Sequence, residues 1–311
     1  MICRICGNSD NNALYSVQEM MFGYKDRFDY FQCSACNCLQ IAELPSNMEK
    51  YYPQHYYSFT PKQRRFQRNP MDKALRRLKD HYTVFNRSAL GALVSTLSPN
   101  KKLAPLAKVG LTRDSRILDV GCGDGWRLYA LREVGFRNVL GIDPYIRQDI
   151  TYENGLRVLK RSIHDVTGEW DLIMYHHSFE HVPDPIEELQ VVSRLLPAGG
   201  CCLIRVPTVS SYAWEQYREC WVQLDAPRHY TLPSLESMNI LADKTGFHVR
   251  TVVFDSTKGQ FEGSERYKRG LPLASQGRIF TSSQIRQWKR QAKKLNKENR
   301  GDQAAFYLIK N

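Results

Sequence analysis

From Val109 to the C-terminus, short apolar runs alternate with amphipathic stretches. Arg116–Val120, Val139–Ile142, Leu156–Lys160, Asp171–Tyr175, Cys201–Val206, Val249–Phe254 and Ala304–Ile309 are brief apolar runs bounded by turn residues, a pattern that predicts buried strands. Between them, Leu128, Leu131 and Val134 recur at helical spacing within Trp126–Val134, and Pro185–Leu195 and Leu235–Thr245 read as further helices. The alternation predicts an α/β fold with a doubly wound, seven-stranded sheet. The long last connection, Asp255 to Gly301, carries another amphipathic helix with Ile285, Trp288, Ala292 and Leu295 on one face. Upstream, Met71, Ala74, Leu75, Leu78, Tyr82 and Phe85 form a helical stripe with basic residues opposite, and a helix over Leu90–Leu97 leads to Pro99. Ala13–Val17 and Phe28–Gln32 are β-prone, and the chain contains no internal repeat.

The strand at Arg116–Val120 runs directly into Gly121-Cys122-Gly123-Asp124-Gly125. Glycines there allow a tight turn in which backbone can approach a ligand closely. Asp143 ends the next strand about 20 residues beyond the glycines, where a carboxylate can accept both hydroxyl protons of a ribose. The third glycine is off the dinucleotide register, which keeps a helix N-terminus open for pyrophosphate. D-x-G-x-G-x-G, led by Asp119, instead suits a nucleoside cofactor with an amino-acid tail, whose ammonium Asp119 would face.

On these residues the chain resembles the class I S-adenosylmethionine (SAM)-dependent methyltransferases, from about Val109 onward. Pro197-Ala198-Gly199-Gly200, the turn such proteins place before the fifth strand, extends the resemblance. It implies a Rossmann-like methyltransferase sheet, with SAM held by Asp119, Gly121, Gly123, Gly125 and Asp143. It also implies adenine contacts just past the third strand, with Ser162 or Asp165 accepting the amino protons and Ile163 stacking on the ring. His176 belongs to the cofactor side of the segment after the fourth strand.

Cys3-Arg4-Ile5-Cys6 and Cys33-Ser34-Ala35-Cys36 lie 26 residues apart. Two C-x-x-C turns supply the four sulfur ligands of a tetrahedral zinc site, and four protein ligands leave no position open for chemistry. Cys3, Cys6, Cys33 and Cys36 therefore predict a structural zinc ribbon, with Cys38 a bystander. The predicted organisation is a zinc ribbon over 1–45, an aromatic linker and helical cap over 46–108, and a methyltransferase domain over 109–311.

With 311 residues, 42% hydrophobic and 24% charged, the chain has the composition of a globular protein with a real core. It has no apolar run of about 18 residues that would span a bilayer, and Met1-Ile2-Cys3-Arg4 does not open a signal peptide. A cytoplasmic location, at most peripheral to the inner membrane face, is expected. The net charge of +12 is uneven, with eight Lys/Arg against two Asp in Thr60–His81 and twelve Lys/Arg against three Glu in Ser256–Arg300. Such runs are either solvated helix faces or a face that meets something anionic, such as a diphosphate or an acidic leaflet.

Tyr175-His176-His177-Ser178-Phe179-Glu180-His181-Val182-Pro183-Asp184-Pro185 contains the inverted zinc-protease string His177-x-x-Glu180-His181. That motif requires one continuous helix, whereas here it straddles a strand end shortly before a proline. In a methyltransferase the segment walls the transfer site, which makes Glu180 and His181 candidate catalytic groups. The E-H-V-P-D-P run resembles small-molecule and sugar methyltransferases, some of which bind a metal there with an acid in place of His177. Further on, Pro227-Arg228-His229-Tyr230 resembles glycan and sugar methyltransferases that carry a zinc ribbon, in whose C-methylating members a histidine of this region is the base and follows a glutamate. Here Arg228 precedes His229, which favours O-methylation. His229 is the candidate general base, since imidazole accepts a proton at neutral pH. Arg228, with Tyr56 and Tyr57 of the aromatic linker, is a candidate substrate contact.

The expected activity is SAM-dependent methylation of a sugar, nucleotide-linked or on a lipid-linked glycan, in cell-surface polysaccharide biosynthesis. An RNA methyltransferase is the alternative enzyme, although the N-P-P-[YF] sequence of base-nitrogen methylation is replaced by His177-Ser178-Phe179-Glu180. A SAM-binding, non-catalytic scaffold is the third reading.

Overall fold

The structure, a computed structural model, describes residues 1–52, 69–85, 100, 103–275 and 277–311. Tyr56, Tyr57 and the helix expected over Leu90–Leu97 lie outside the described residues.

An eight-stranded mixed sheet forms the body. Its members are β4 (Ile117–Val120), β5 (Val139–Ile142), β6 (Ile150–Thr151), β7 (Arg157–Leu159), β8 (Leu172–His176), β9 (Cys201–Pro207), β11 (Phe247–Phe254) and β12 (Gln303–Lys310). They are ordered β11-β12-β9-β8-β4-β5-β7-β6. The five central strands run parallel, while β6, β11 and β12 pair antiparallel at the edges. The strand count corrects the expected seven. β6 is a two-residue edge strand, too short for an apolar run or an alternation to register in sequence.

Successive residues of the central strands point to opposite faces, and both faces are covered. Leu118, Val120, Ile173, Tyr175, Ile204 and Phe306 pack on one face with Leu189 and Val192 of helix Pro185–Leu195 and with Met238 and Leu241 of helix Leu235–Lys244. Ile117, Leu172, Met174, Leu203 and Tyr307 pack on the other face with Leu128 and Leu131 of helix Trp126–Glu133. Helix Pro70–Phe85 joins this second face, with Phe85 stacked on Phe136 and Arg77 paired to Glu133. Caps fix the helix starts: the Asp184 carboxylate accepts from the Ile186 and Glu187 amides, and Pro185 opens that helix without needing a donor.

A second sheet holds β1 (Ala13–Gln18), β2 (Arg27–Gln32) and β3 (Leu39–Ile41), and is completed by β10 (Thr231–Leu232) from the far end of the chain. β10 pairs with β3 through Thr231↔Gln40 and Leu232↔Leu39. The cysteine turns dock on helix Leu235–Lys244, where Ser234 Oγ donates to the Cys36 carbonyl at 2.6 Å and Lys244 Nζ donates to the Ile5 carbonyl at 2.7 Å. Among the described residues, no helix is long and apolar enough to cross a membrane.

Candidate active site

The strand order reverses between β4 and β8: from β4 the chain builds outward through β5 and β7, then crosses back to β8 and β9. Open α/β sheets leave a crevice at the carboxyl ends of the strands at such a switch point. A cavity of about 650 Å³ lies there.

Its floor is the turn after β4. Gly121, Gly123 and Gly125 have φ of 67°, 57° and 67°, a left-handed backbone that side chains disfavour. Space imposes the same choice, because a Cβ on Gly121 would lie 2.4 Å from Cβ of Ser178 and one on Gly125 would lie 2.5 Å from Val158 Cγ2. Ser178 in turn donates to the Val120 carbonyl at 2.6 Å, locking the ends of β4 and β8 together.

Asp143, at the end of β5, accepts the Gly123 amide on Oδ2 and the Tyr145 amide on Oδ1, both at 2.9 Å. Each oxygen retains a second lone pair toward the cavity that Asp143 lines. Burial raises its pKa, while the two amides pull it down. Asp119 is fully buried behind the turn: Oδ2 takes a 2.9 Å ion pair from Arg127, while Oδ1 has no partner. Burial pushes its carboxyl up to about 6 against the opposing pull of Arg127.

Ser162, Ile163 and His164 line the next part of the wall. Ser162 Oγ accepts the His164 amide and Asp165 accepts the Ser162 amide, a reciprocal cap. Asp165 is exposed and lies outside the cavity lining, so of the two suggested acceptors Ser162 alone borders the cavity, with the buried Ile163 beside it. His176, at the end of β8, also lines it; burial drives its pKa well down, and its Nε2 has no partner.

At the other end, Glu180, His181 and His229 come together. The segment after β8 is a 3₁₀ turn over Phe179–His181, not a continuous helix. His229 lies just before β10, and its carbonyl accepts from Tyr30 of β2 at 2.8 Å. His229 Nδ1 is 2.7 Å from the Gln223 carbonyl and His181 Nδ1 is 2.7 Å from the Arg228 carbonyl. A carbonyl only accepts, so both rings carry a proton on Nδ1, which makes Nε2 the nitrogen that is bare in the neutral ring. His229 Nε2 lies 3.7 Å from Asp225 Oδ2 and 3.9 Å from Glu180 Oε1. Burial lowers the His181 pKa. The Glu180 pKa falls below the usual carboxylate range, with burial opposing the shift and the His177 hydrogen bond favouring it. Ligand atoms of Glu180, His181 and His229 fall within 4.8 Å of one another, so this trio can share a cation as well as move a proton.

Arg228 corrects an expectation. It is fully buried, paired with Glu19 Oε1 at 3.1 Å and Asp225 Oδ1 at 2.6 Å, and it donates to the Tyr51 carbonyl. An arginine so neutralised and buried is not among the residues that line the cavity. It ties Glu19, just past β1, and Tyr51 to Asp225 instead, and its ion pair lowers the Asp225 pKa against burial. Sequence reasoning missed several lining residues: Tyr52, stacked on Tyr145 with centroids 6.2 Å apart, then Gln223 and Asp225, and the apolar Met21 and Leu273. The aromatic run at Tyr51-Tyr52 was a signal for the first; the others converge only through long-range packing.

Cys3, Cys6, Cys33 and Cys36 also converge, with Cys3 Sγ 3.6 Å from Cys36 Sγ and Cys6 Sγ 3.4 Å from Cys33 Sγ. These four sulfurs form the donor set of a closed tetrahedral metal site. Cys38 is buried alongside, bonded to the Leu232 carbonyl.

Residues 82–252, more than half of the chain, match the family described as "Methyltransferase domain", and the protein belongs to that family. The chain thus carries a methyltransferase domain. The tRNA U34 carboxymethyltransferase of Alteromonas mediterranea is 24% identical over 174 residues, 48% of this chain and 50% of that protein. The ubiquinone biosynthesis O-methyltransferase of Pseudomonas aeruginosa is 31% identical over 96 residues, 27% of this chain and 41% of that protein. This chain thus spans half or less of the length of these relatives. A solved structure of the mycolic acid cyclopropane synthase CmaA1 complexed with SAH and CTAB aligns with a TM-score of 0.46 at 20% identity, covering 76% of this chain and 94% of that one.

Proposed function

We propose that the protein transfers the SAM methyl group to a hydroxyl of a sugar unit, nucleotide-linked or part of a lipid-linked glycan, in surface polysaccharide biosynthesis. The observation that carries this reading is the bare Nε2 of His229, set at the cavity between Asp225 and Glu180. An imidazole so oriented takes a hydroxyl proton as the oxygen attacks the methyl carbon. Bound SAM would supply the methyl group and keep the electron pair of its broken carbon–sulfur bond, and His229 would hold the hydroxyl proton. The two flanking carboxylates stabilise the imidazolium that results and accept hydrogen bonds from neighbouring sugar hydroxyls.

Arg127 is the one cationic Lys/Arg side chain among the described cavity-lining residues, and it is paired with Asp119. We propose that a diphosphate carrier finds counter-charge on the protein surface. Helix Ser282–Lys297 offers it, with Arg286, Lys289, Arg290, Lys293 and Lys297 exposed at helical spacing. The residue before His229 also bears on the atom methylated: Arg228, locked in its ion pairs, supplies no second base, which favours O-methylation over carbanion chemistry. We further propose that the four cysteines hold a structural zinc that keeps the sheet of β1, β2, β3 and β10, and through Tyr30 the His229 backbone, in place. On this reading the chain comprises a zinc ribbon over 1–45, a linker and cap over 46–108, and the methyltransferase domain over 109–311.

The basic helix and the similarity to tRNA U34 carboxymethyltransferases also favour a second reading, methylation of RNA. Tritiated SAM offered with nucleotide sugars, glycolipids and bulk tRNA separates the two: label in a sugar fraction supports the first, and label in tRNA alone overturns it.

A further inference from the structure

We infer that Arg205, outside the cavity lining, is a positioning residue that sets the tautomer of His177 and through it the direction of the Glu180 carboxylate. Four neighbouring strands of the half-sheet away from the glycine turn, β8, β9, β12 and β11, build the device. Arg205 lies on β9 and pairs in register with His176 of β8. The His177 amide donates to the Arg205 carbonyl at 2.9 Å, and His177 then takes a left-handed φ of 55°. That turn sets His177 Nε2 2.5 Å from Arg205 Nη1 and His177 Nδ1 3.3 Å from Glu180 Oε1.

The guanidinium is held from behind. Arg205 Nε donates to Asp255 Oδ2 at 2.7 Å, and Asp255 Oδ1 accepts from Gln303 Nε2 at 2.5 Å, so Asp255 just past β11 and Gln303 opening β12 complete the chain. A guanidinium has donors only, so the ring nitrogen facing it must be bare. The ring proton is therefore on Nδ1, the nitrogen facing Glu180, where it donates to Oε1. Glu180 Oε2 is left buried with no partner, on a residue that lines the cavity. Without Arg205, the opposite tautomer becomes available, and His177 would turn a lone pair toward a carboxylate that needs a donor. The same logic holds His181 and His229 by backbone carbonyls; His177 is set by a side chain, so it can be reset by substitution.

The consequence for turnover rests on the proposed function, but the tautomer does not, and it can be read without an acceptor substrate. Histidine-nitrogen NMR on the isotope-labelled full chain, with the His177 signals assigned by their loss in His177→Gln, reports which nitrogen carries the proton. Wild type is expected to show Nδ1–H at His177. Arg205→Met should show a measurable share of Nε2–H beside Nδ1–H while calorimetry shows SAH still bound, and Arg205→Lys, which restores a donor, should recover the single Nδ1–H signature. Asp255→Asn, which frees the guanidinium without removing it, should give a mixture and covers the case in which Arg205→Met does not fold. An unchanged Nδ1–H signature in Arg205→Met, or Nε2–H in the wild type, overturns the proposal.

Discussion

Replacing Asp143 with asparagine should weaken SAH binding sharply while leaving the protein folded. Both carboxylate oxygens already accept one backbone amide, from Gly123 and from Tyr145, each at 2.9 Å. On the proposed assignment, the lone pairs that remain would take the two ribose hydroxyls. Asparagine keeps one acceptor oxygen and turns the other into a donor, so one hydroxyl and one amide lose their partner. A hydrogen bond to a charged group is worth about 1.5–3 kcal/mol, and each 1.4 kcal/mol is about tenfold in affinity. The expected loss is about tenfold to a hundredfold for Asp143→Asn, and about a hundredfold or more for Asp143→Ala, which removes both acceptors. Isothermal titration of SAH into each variant measures this directly, with circular dichroism to show that the sheet is intact. SAH affinity in a folded Asp143→Asn protein equal to that of wild type would refute the assignment of Asp143 to the ribose.

Three further outcomes follow from the same geometry. His229→Ala should cut methyl transfer by about 10²-fold or more with SAH affinity retained; retained turnover with the true acceptor removes its role as base. Asp302 is buried, accepts from Trp221 Nε1 at 3.2 Å, and has its carboxyl pushed up to about 6, chiefly by burial. The folded state then holds this proton more tightly than the unfolded state, so stability is lost as pH rises from the unfolded carboxylate value through about 6. Asp302→Asn should gain stability relative to wild type between about pH 4 and pH 7, by up to roughly 3 kcal/mol, in urea melts at both pH values; no change in the difference contradicts it. Cys33→Ser with Cys36→Ser should abolish bound zinc, measured by plasma emission, and lower the melting temperature. A full zinc complement in that variant would show that these sulfurs are not the ligands.

What the sequence made legible was whatever a local pattern encodes. The central strands are buried on both faces, so Ile117–Val120 and Leu172–His176 stand out as apolar runs close to their observed bounds. Pro185–Leu195 carries its own start signal in Asp184-Pro185 and was legible end to end. The glycine turn with Asp143 and the two cysteine turns are local too, and each set converges in space. The illegible features depend on distant partners. β10 is two residues long and forms only because β3 offers an edge nearly two hundred residues earlier in the chain. Arg228 reads as a substrate contact next to His229, but Glu19 and Asp225 bury it, and no spacing rule links residue 19 to residue 228. Asp225 enters the site through that same ion pair, and Met21 arrives on a loop whose Glu19 carboxylate gathers the amides of Phe22, Gly23 and Tyr24.

The most direct test of the account is the fate of the methyl group. The purified protein, incubated with tritiated SAM and a panel of nucleotide sugars, lipid-linked glycans and tRNA, should place label on a sugar hydroxyl, and His229→Ala should cut that transfer by about 10²-fold or more while still binding SAH. Label found on tRNA with every sugar unlabelled would contradict it.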